Sequence, residues 1–461
     1  MKTLPLEVAI ERPLGPIEEV YWHLDNSSPM LVMGVSKLSG GLTEEHLRAG
    51  LDEVQRRHPM LRVKIVEESG GKGWFRSRVP ALPLTELPAD LDLHAWLEEE
   101  LLIKIPSETG PLVACYYQRL ERNTIRIAVK MHHAISDGTS VKNFLVDWVK
   151  AATQMAQTGV TELTPLPQLP YFNERFPAFA HGITGFFRWL YVLFRLLGSM
   201  LTNGAPRFVN VDQSVPVGLR GLYILEKNFP ESIMTPLLQR ARQEGTTVHG
   251  ALYAAVMLAV AKEIDQQQRP FIASVSSVNI REKMQPAAKE DIGYLVTAVI
   301  SAHKVNCADA LWPLAREIKQ RANEGMARGM EYVLVPWTYR FHVWRARKVG
   351  HRNHAKMAEF LEKIHQPLSL VVTNMGQLNI EQHYGPYRIE DMVFYGNPSV
   401  LSPFVTIIST LGNVMTWTLQ GCSPVVTRQQ LIDIFDNAQN YLLNSINAPL
   451  ADVSKEVETA Q

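Results

Sequence analysis

The sequence predicts an α/β sandwich in two parts. Three observations point to it: helical and strand-like hydrophobic periods alternate along the chain, the alternation breaks once in a proline-rich stretch, and it then resumes with the same rhythm. Residues 42–57 have a helical start in Thr43-Glu44-Glu45 and set Leu47, Leu51 and Val54 at helical spacing. Residues 61–66 read as a short apolar-rich strand, and 124–131, TIRIAVKM, alternate as a strand with one buried face does. A helix is expected from 139 to about 155, with Val141, Phe144, Leu145 and Trp148 on one face. Pro165, Pro167, Pro170 and Pro177 then punctuate an irregular stretch that leads into an apolar helix. The second part opens with a strand at 221–229 and a helix at 247–264, followed by strands at 271–278, 296–303, 368–373, 404–409 and 414–419. The expected division is a first domain at 1–165, a connecting segment at 166–212 and a second domain at 213–461.

Composition narrows the function classes. Lys+Arg and Asp+Glu both total 46, so the formal net charge is zero and nothing global recommends nucleic acid or an anionic surface. The three cysteines, Cys115, Cys307 and Cys422, lack the short paired spacing of a zinc site and read as buried or free thiols of a reducing compartment. The first 16 residues carry Glu7 and Glu11 and no signal-peptide apolar run, so the expected location is the cytoplasm. Residues 182–201, GITGFFRWLYVLFRLLGSML, have the length of a membrane span but are interrupted by Arg188 and Arg195. Those arginines share one helical face, opposite Phe186, Leu190, Leu193 and Leu197. A helix packed on the protein, a helix lying on a membrane or lipid substrate, and a span all fit that pattern.

The segment that carries chemistry is 131–140, MHHAISDGTS. Successive strand residues point to opposite faces, so of His132 and His133 one should be structural and the other should line a site. The same geometry argues against a zinc site on the pair, and no metal is expected. Neutral imidazole is a natural base for an alcohol or amine near neutral pH. Asp137 fits either a helix N-cap or a functional carboxylate. There is no G-x-S-x-G elbow, P-loop or G-x-G-x-x-G, which removes the serine-hydrolase and nucleotide-dependent readings.

Residues 131–138, MHHAISDG, resemble the HHxxxDG motif of the superfamily that includes chloramphenicol acetyltransferase, BAHD plant acyltransferases, peptide-synthetase condensation domains, wax ester synthases and phthiocerol dimycocerosyl transferases. Further landmarks extend the resemblance along the chain. Arg57-His-Pro-Met-Leu-Arg62 is similar to the RHPxLR stretch of condensation-type members, and Gly110-Pro-Leu112 precedes the motif strand as it does there. Residues 247–252 resemble the start of a second-domain helix, 278–281 (VNIR) resemble a strand end that supplies an arginine, and 372–376 (VTNMG) resemble an SN-x-G stretch. The BAHD motif DFGWG is absent, and residues 395–403 read YGNPSVLSP instead, which turns the resemblance toward the wax-ester, condensation and phthiocerol-transferase branches.

The resemblance implies two chloramphenicol-acetyltransferase-like domains with a channel between them. It implies a catalytic pair of His133, the general base, and Asp137, with the aspartate mainly paired to Arg281 of the second domain. His132 and Gly138 become structural members of the site, a side chain at Gly138 crowding the channel, and Thr373 or Asn374 would bind the oxyanion or substrate. No permanent cofactor is implied: the acyl donor, acyl-CoA or a phosphopantetheine-linked thioester, is a substrate, and the acceptor is an alcohol or amine. The leading expectation is an acyltransferase that forms an ester. The alternatives are a free-standing condensation enzyme that forms an amide from carrier-bound substrates, and a noncatalytic binding module of the same fold. The basic stretch Arg340, Arg345, Arg347, Lys348, Arg352 and Lys356, interleaved with Trp337, Tyr339, Phe341 and Trp344, reads as a solvated helix face or as a surface for an acyl carrier protein, coenzyme A phosphates or anionic lipid.

Overall fold

The structure is a computed structural model that describes residues 10–68, 71–121, 123–168, 172–207, 215–349, 368–398 and 402–447, with positions 170, 209, 213, 356, 359 and 360. Along the first half run β1 (Glu11–Pro13), α1 (Pro16–Ser27), β2 (Leu31–Ser39), α2 (Glu44–Arg57), β3 (Val63–Glu68), β4 (Lys72–Ser77), β5 (Leu84–Leu87), α3 (Leu93–Glu100), β6 (Val113–Arg119), β7 (Thr124–His132) and α4 (Gly138–Thr158). The connection carries α5 (Gly182–Asn203). The second half holds β8 (Gly221–Phe229), α6 (Glu231–Gln243), α7 (Val248–Ile264), β9 (Phe271–Asn279), β10 (Val296–Lys304), α8 (Leu311–Ala327) and α9 (Met330–Val349). It ends with β11 (Leu368–Gln377), β12 (His383–Tyr384), β13 (Tyr387–Ile389), β14 (Val393–Gly396), β15 (Phe404–Leu411), β16 (Val414–Ser423) and α10 (Arg428–Asn447).

Two mixed sheets organise the two lobes. The first has the order β12-β13-β2-β7-β6-β5, and the second β10-β9-β11-β15-β16-β8. In the first lobe α2 and α4 cover one face of the sheet and bury Leu47, Leu51, Phe144 and Trp148, each large apolar side chain worth about 1.5–3 kcal/mol. The two helices approach closely because Gly50 lies against the Ala152 backbone, where a Cβ would come within 2.9 Å. Trp148 donates its indole N–H to Leu47 O at 2.9 Å, satisfying the polar end of an otherwise apolar side chain. In the second lobe α7 is buried on nearly every side between the sheet, α8 and α10, which explains why its sequence is apolar all round.

The lobes are not two consecutive stretches of chain. Residues 383–396, far beyond position 213, cross back to the first lobe: β13 pairs with Leu38 and Ser39, and β14 pairs antiparallel with Val32 to Val35 of β2. The first sheet therefore has its β2 edge closed by strands from the second half, which removes an exposed edge and ties the lobes together. Of the cysteines, Cys115 and Cys422 are buried and Cys307 is half-buried.

Among the described residues, no single helix is long and apolar enough to cross a membrane. The bent pair α6–α7, which turns by 97°, reaches the required length and composition only through the core helix α7. For α5, the packing differs from the simple two-faced reading. Its buried residues are Gly185, Trp189 and Val192, about a quarter turn away from the Phe186 and Leu197 face, and both of those residues are exposed. The helix is apolar around most of its circumference, so periodicity alone does not pick the packed side.

Candidate active site

His133 follows β7 immediately, at the seam between the lobes. The N–H of His132 donates to Leu112 O at 3.0 Å and that of His133 to Met30 O at 2.8 Å, so strand-like pairing persists and the two rings diverge. His132 is fully buried. Its Nδ1 accepts from Ala134 N at 3.0 Å, which puts the ring proton on Nε2, 3.5 Å from Asp25 Oδ2. Asp25 in turn accepts from Met30 N at 2.8 Å, so this histidine fixes the β2 and β7 strand ends.

His133 makes the complementary arrangement. Its Nδ1 lies 2.7 Å from Ser136 O, an acceptor only, so Nδ1 carries the proton and Nε2 on the opposite edge is the basic nitrogen. Among the described residues no hydrogen bond reaches Nε2, and the ring borders a cavity of about 200 Å³. Tyr21 packs on the ring with centroids 4.5 Å apart and Tyr294 at 5.4 Å, and the two tyrosine hydroxyls are 3.1 Å apart. Burial lowers the His133 pKa below 6.5, and it outweighs the Ser136 carbonyl and the Asp137 charge, which act the other way. The imidazole is therefore neutral at pH 7.

Asp137 is both the N-cap of α4 and one end of a buried latch. Its oxygens accept from Ser140 N at 2.8 Å, Leu295 N at 2.8 Å and both terminal nitrogens of Arg281 at 2.8 and 2.9 Å. Asp137 is 1% exposed and Arg281 2%, so the pair is desolvated and bidentate. Burial pushes the Asp137 carboxyl up, but the Arg281 charge and the hydrogen bonds more than offset it, and the pKa lies below the ordinary 3.8. Ser140 completes the unit by accepting from Arg281 at 2.7 Å and bonding both N and O of Gly293. Among the described residues no hydrogen bond joins Asp137 to His133, although both border the same cavity. The Asp137 charge acts on the imidazole, favouring its protonated form.

The remaining expected residues border the same cavity. Gly138 opens α4, and a Cβ there would come 2.6 Å from Met375 Sδ, so the crowding comes from a flexible side chain. Thr373 Oγ1 is 3.2 Å from Ser277 Oγ, and Asn374 Oδ1 accepts from Gly376 N at 2.7 Å. That bond spans the irregularity of β11 between Asn374 and Gly376, and it leaves the amide NH2 as the group available to the cavity. The RHPxLR stretch is structural: Arg57 Nε and His58 Nε2 both reach Asp147 Oδ2 of α4 at 2.8 Å, and Arg57 also pairs with Glu290 across the seam. Sequence reasoning missed Tyr21, Tyr294, Asn279 and Ser140. Ser140 lay within the 131–140 segment and Asn279 within 278–281, both of which had drawn attention, whereas lone tyrosines carry no local signal.

The basic stretch divides. Tyr339 is buried within reach of Tyr21, Arg340 lies over Trp337 at 5.1 Å, and Phe341 and Trp344 are exposed. The side chains of Arg347 and Lys348, and all of Arg352, lie outside the described residues. Of 395–403, the positions 399–401 do as well.

Comparisons with known proteins agree with this architecture. Residues 23–174 match the condensation domain family, and residues 231–383 match the family described as phthiocerol/phthiodiolone dimycocerosyl transferase C-terminus. A segment of 169 residues, 33% of this chain, is 28% identical to the nonribosomal peptide synthetase kk1B of Curvularia clavata, and spans 1% of that protein's length. The trichothecene 15-O-acetyltransferase TRI3 of Fusarium sporotrichioides superposes with a TM-score of 0.75 over 97% of both chains at 12% identity. The first condensation domain of the calcium-dependent antibiotic synthetase gives 0.72 over 96% of this chain and 97% of that one, at 11% identity. Polyketide synthase associated protein 5 of Mycobacterium tuberculosis gives 0.68 over 95% and 98%, at 14%. The two-lobed fold is thus shared across nearly the whole chain.

Proposed function

We propose that this chain of the HHxxxDG acyltransferase superfamily moves an acyl group from a thioester donor to a hydroxyl acceptor, with His133 as the general base. The observation that carries the reading is the tautomer of His133: Nδ1 is committed to Ser136 O, and a neutral Nε2 is left for the cavity. In the reaction, Nε2 takes the acceptor proton as the oxygen attacks the thioester carbonyl. The tetrahedral oxyanion then collapses with cleavage of the carbon–sulfur bond, and the imidazolium returns the proton to the departing thiolate. No acyl-enzyme forms. General base catalysis of this kind supplies about 10² to 10⁴-fold, and alignment between the lobes supplies more. Thr373 and the Asn374 amide are the proposed oxyanion or substrate contacts. Asp137, Arg281, His132 and Gly138 hold the loop and keep the passage open.

The likeness of the first half to condensation domains favours a second reading, amide formation from carrier-bound substrates. A panel separates the readings: purified protein with acyl-CoA and carrier-loaded acyl donors against alcohols and amines, following free thiol and product mass. Ester product from acyl-CoA is expected. Amide product only, or thiol release only from a carrier protein, would assign the condensation role, and no transfer from any donor would favour the noncatalytic module.

The outer face of α5 supports peripheral contact with lipid. Ile183, Phe187, Tyr191, Phe194 and Leu201 form an exposed stripe at helical spacing with Arg188 and Arg195 on the same helix, and Phe341 and Trp344 of α9 are exposed as well, Phe341 beside Trp189. Such a stripe costs about 25 cal/mol per Å² while it meets water, and arginines beside it complement anionic headgroups.

A further inference from the structure

A second cavity, larger than the one at His133, adjoins it and is lined mainly by other residues. It holds about 890 Å³, near the top of the roughly 300–1,000 Å³ range of small-molecule sites. Tyr21, Ser277, Tyr294, Val296 and Val371 border both spaces, so the two meet at the tyrosine pair that packs on His133.

Its floor is one face of a β-ribbon. Ala273, Val275 and Ser277 of β9 stand opposite Ala302, Ile300 and Ala298 of β10, and these cross-strand partners all line the cavity. On β10 the lining side chains Ala298, Ile300 and Ala302 are only half-buried, whereas Val299, Ser301 and His303 between them are buried on the other face. Period-2 exposure of that kind beneath a covering helix means that the floor is covered but not filled.

The roof is the C-terminal half of α5. The N-terminal half is anchored: Trp189 donates to Thr338 Oγ1 at 3.0 Å and stacks against Trp337, and Gly185 sits against the Ala180 carbonyl. Beyond Val192 no residue of α5 is buried, and Leu193, Leu196 and Met200 face the space over the ribbon. Leu193 and Leu196 are only partly buried: they pack at the margin of the core cluster that holds Val192, Leu295 and Val299, and the space beyond that margin stays open. At the end remote from His133 the character changes. Arg321 of α8 bonds Ala302 O and pairs with Glu317 at 2.6 Å, giving the apolar floor a charged rim.

From these observations we infer that the space between the β9–β10 ribbon and α5 is the binding site for one long, unbranched alkyl chain of a reactant. The chain would extend from the reacting carbon at His133 toward the Arg321 rim. The inference rests on the acyl-transfer reading only for placing the reacting carbon. Six residue steps from Ser277 to Phe271 give a floor of about 20 Å. Extended polypeptide covers about 3.3–3.6 Å in three bonds, so the same length takes a chain of roughly 16 carbons. An apolar cavity of this kind holds apolar ligand in preference to water.

The experiment uses the 461-residue His133→Ala protein, whose turnover is expected to be slow, without acceptor present, and titrates it calorimetrically with saturated acyl-CoA of about 4 to 20 carbons in steps of about four. A parallel arm uses n-alkyl alcohols of the same lengths, so that the arm showing the length dependence says whether donor or acceptor carries the chain. Affinity should rise roughly threefold to fourfold per methylene until the rim is reached and then level off. Ala302→Trp, at the remote end, should abolish the gain for the longest chains and leave short ones unchanged. Ala302→Leu should shorten the preference less, which keeps the test valid if the tryptophan variant misfolds. Length-independent affinity in both arms, or equal weakening of short and long chains by the folded Ala302 variants, would overturn the inference. Absence of thiol release by the unsubstituted protein in the donor panel, with the length dependence intact, would instead remove the acyl-transfer reading and leave the cavity assignment standing.

Discussion

The two sides of His133 are built on opposite principles. On one side, Asp137, Arg281, Ser140, Gly293 and Leu295 form a buried polar unit in which both Asp137 oxygens and both terminal Arg281 nitrogens have partners. On the other, Tyr21 and Tyr294 separate the ring from an apolar space that α5 covers without filling. The polar side needs specific residues at specific positions, because a desolvated charge tolerates no loss of its partner. The apolar side needs only shape and hydrophobicity, which many sequences supply. Fixed geometry for the base and adaptable geometry for the substrate thus sit a few ångströms apart, and only the first leaves a motif in the sequence.

The comparison breaks most sharply at the latch. Asp137→Ala and Arg281→Ala should each destabilise the protein by about 3–5 kcal/mol, because each leaves a buried charge unpaired. The double variant should cost less than the sum of the two, and additive losses in chemical denaturation would mean that the two charges do not act as one unit. Since the Asp137 carboxyl is held below its ordinary pKa, its contribution is present at neutral pH and is lost as pH falls through that depressed value.

A smaller effect tests where the two sides meet. Gly138→Ala brings a Cβ against Met375 Sδ, and overpacking of this sort costs about 1–3 kcal/mol. Turnover should fall several-fold, and Met375→Ala in the same chain should restore it. A loss that persists in the double variant would locate the strain in the backbone of α4 instead.

The smallest effect on stability is expected on the outer stripe of α5. Phe187→Glu with Phe194→Glu should change stability by no more than about 0.5 kcal/mol, since both side chains are exposed. The same pair should release the protein from anionic liposomes while sparing a short soluble donor. A native chain that ignores liposomes in a sedimentation assay rules out the lipid-contact reading.

Much of this architecture is legible in the sequence because local pattern and global fold agree. The strand at 124–131 ends one residue from the observed limit of β7, and the strand at 221–229 coincides with β8, since alternation and flanking turns mark both. That the rings of His132 and His133 diverge follows from strand alternation alone, whereas the choice of His133 for the site rests on the motif. What escapes is long-range. Tyr21 and Tyr294 meet across 273 positions of chain, and nothing in either neighbourhood announces it. The crossing of 383–396 onto β2 is equally silent, because an apolar alternation states that a strand has a buried face but not which sheet covers it. For α5 the difficulty is different: when nearly every face is apolar, the packed one is decided by tertiary neighbours such as Trp337 and Thr338.

The central claim, that neutral His133 removes the acceptor proton, is tested most directly by the pH dependence of thiol release in the native protein beside the His133→Ala variant. With the most active donor and acceptor, the native rate should hold steady from pH 8 down to about pH 6.5, the ordinary histidine value, and fall only below it, because burial depresses this imidazole. The variant, with an unchanged unfolding transition, should lose about 10² to 10⁴-fold and show no such limb. A folded His133→Ala protein with near-native turnover, or with the same acid limb, would contradict the account.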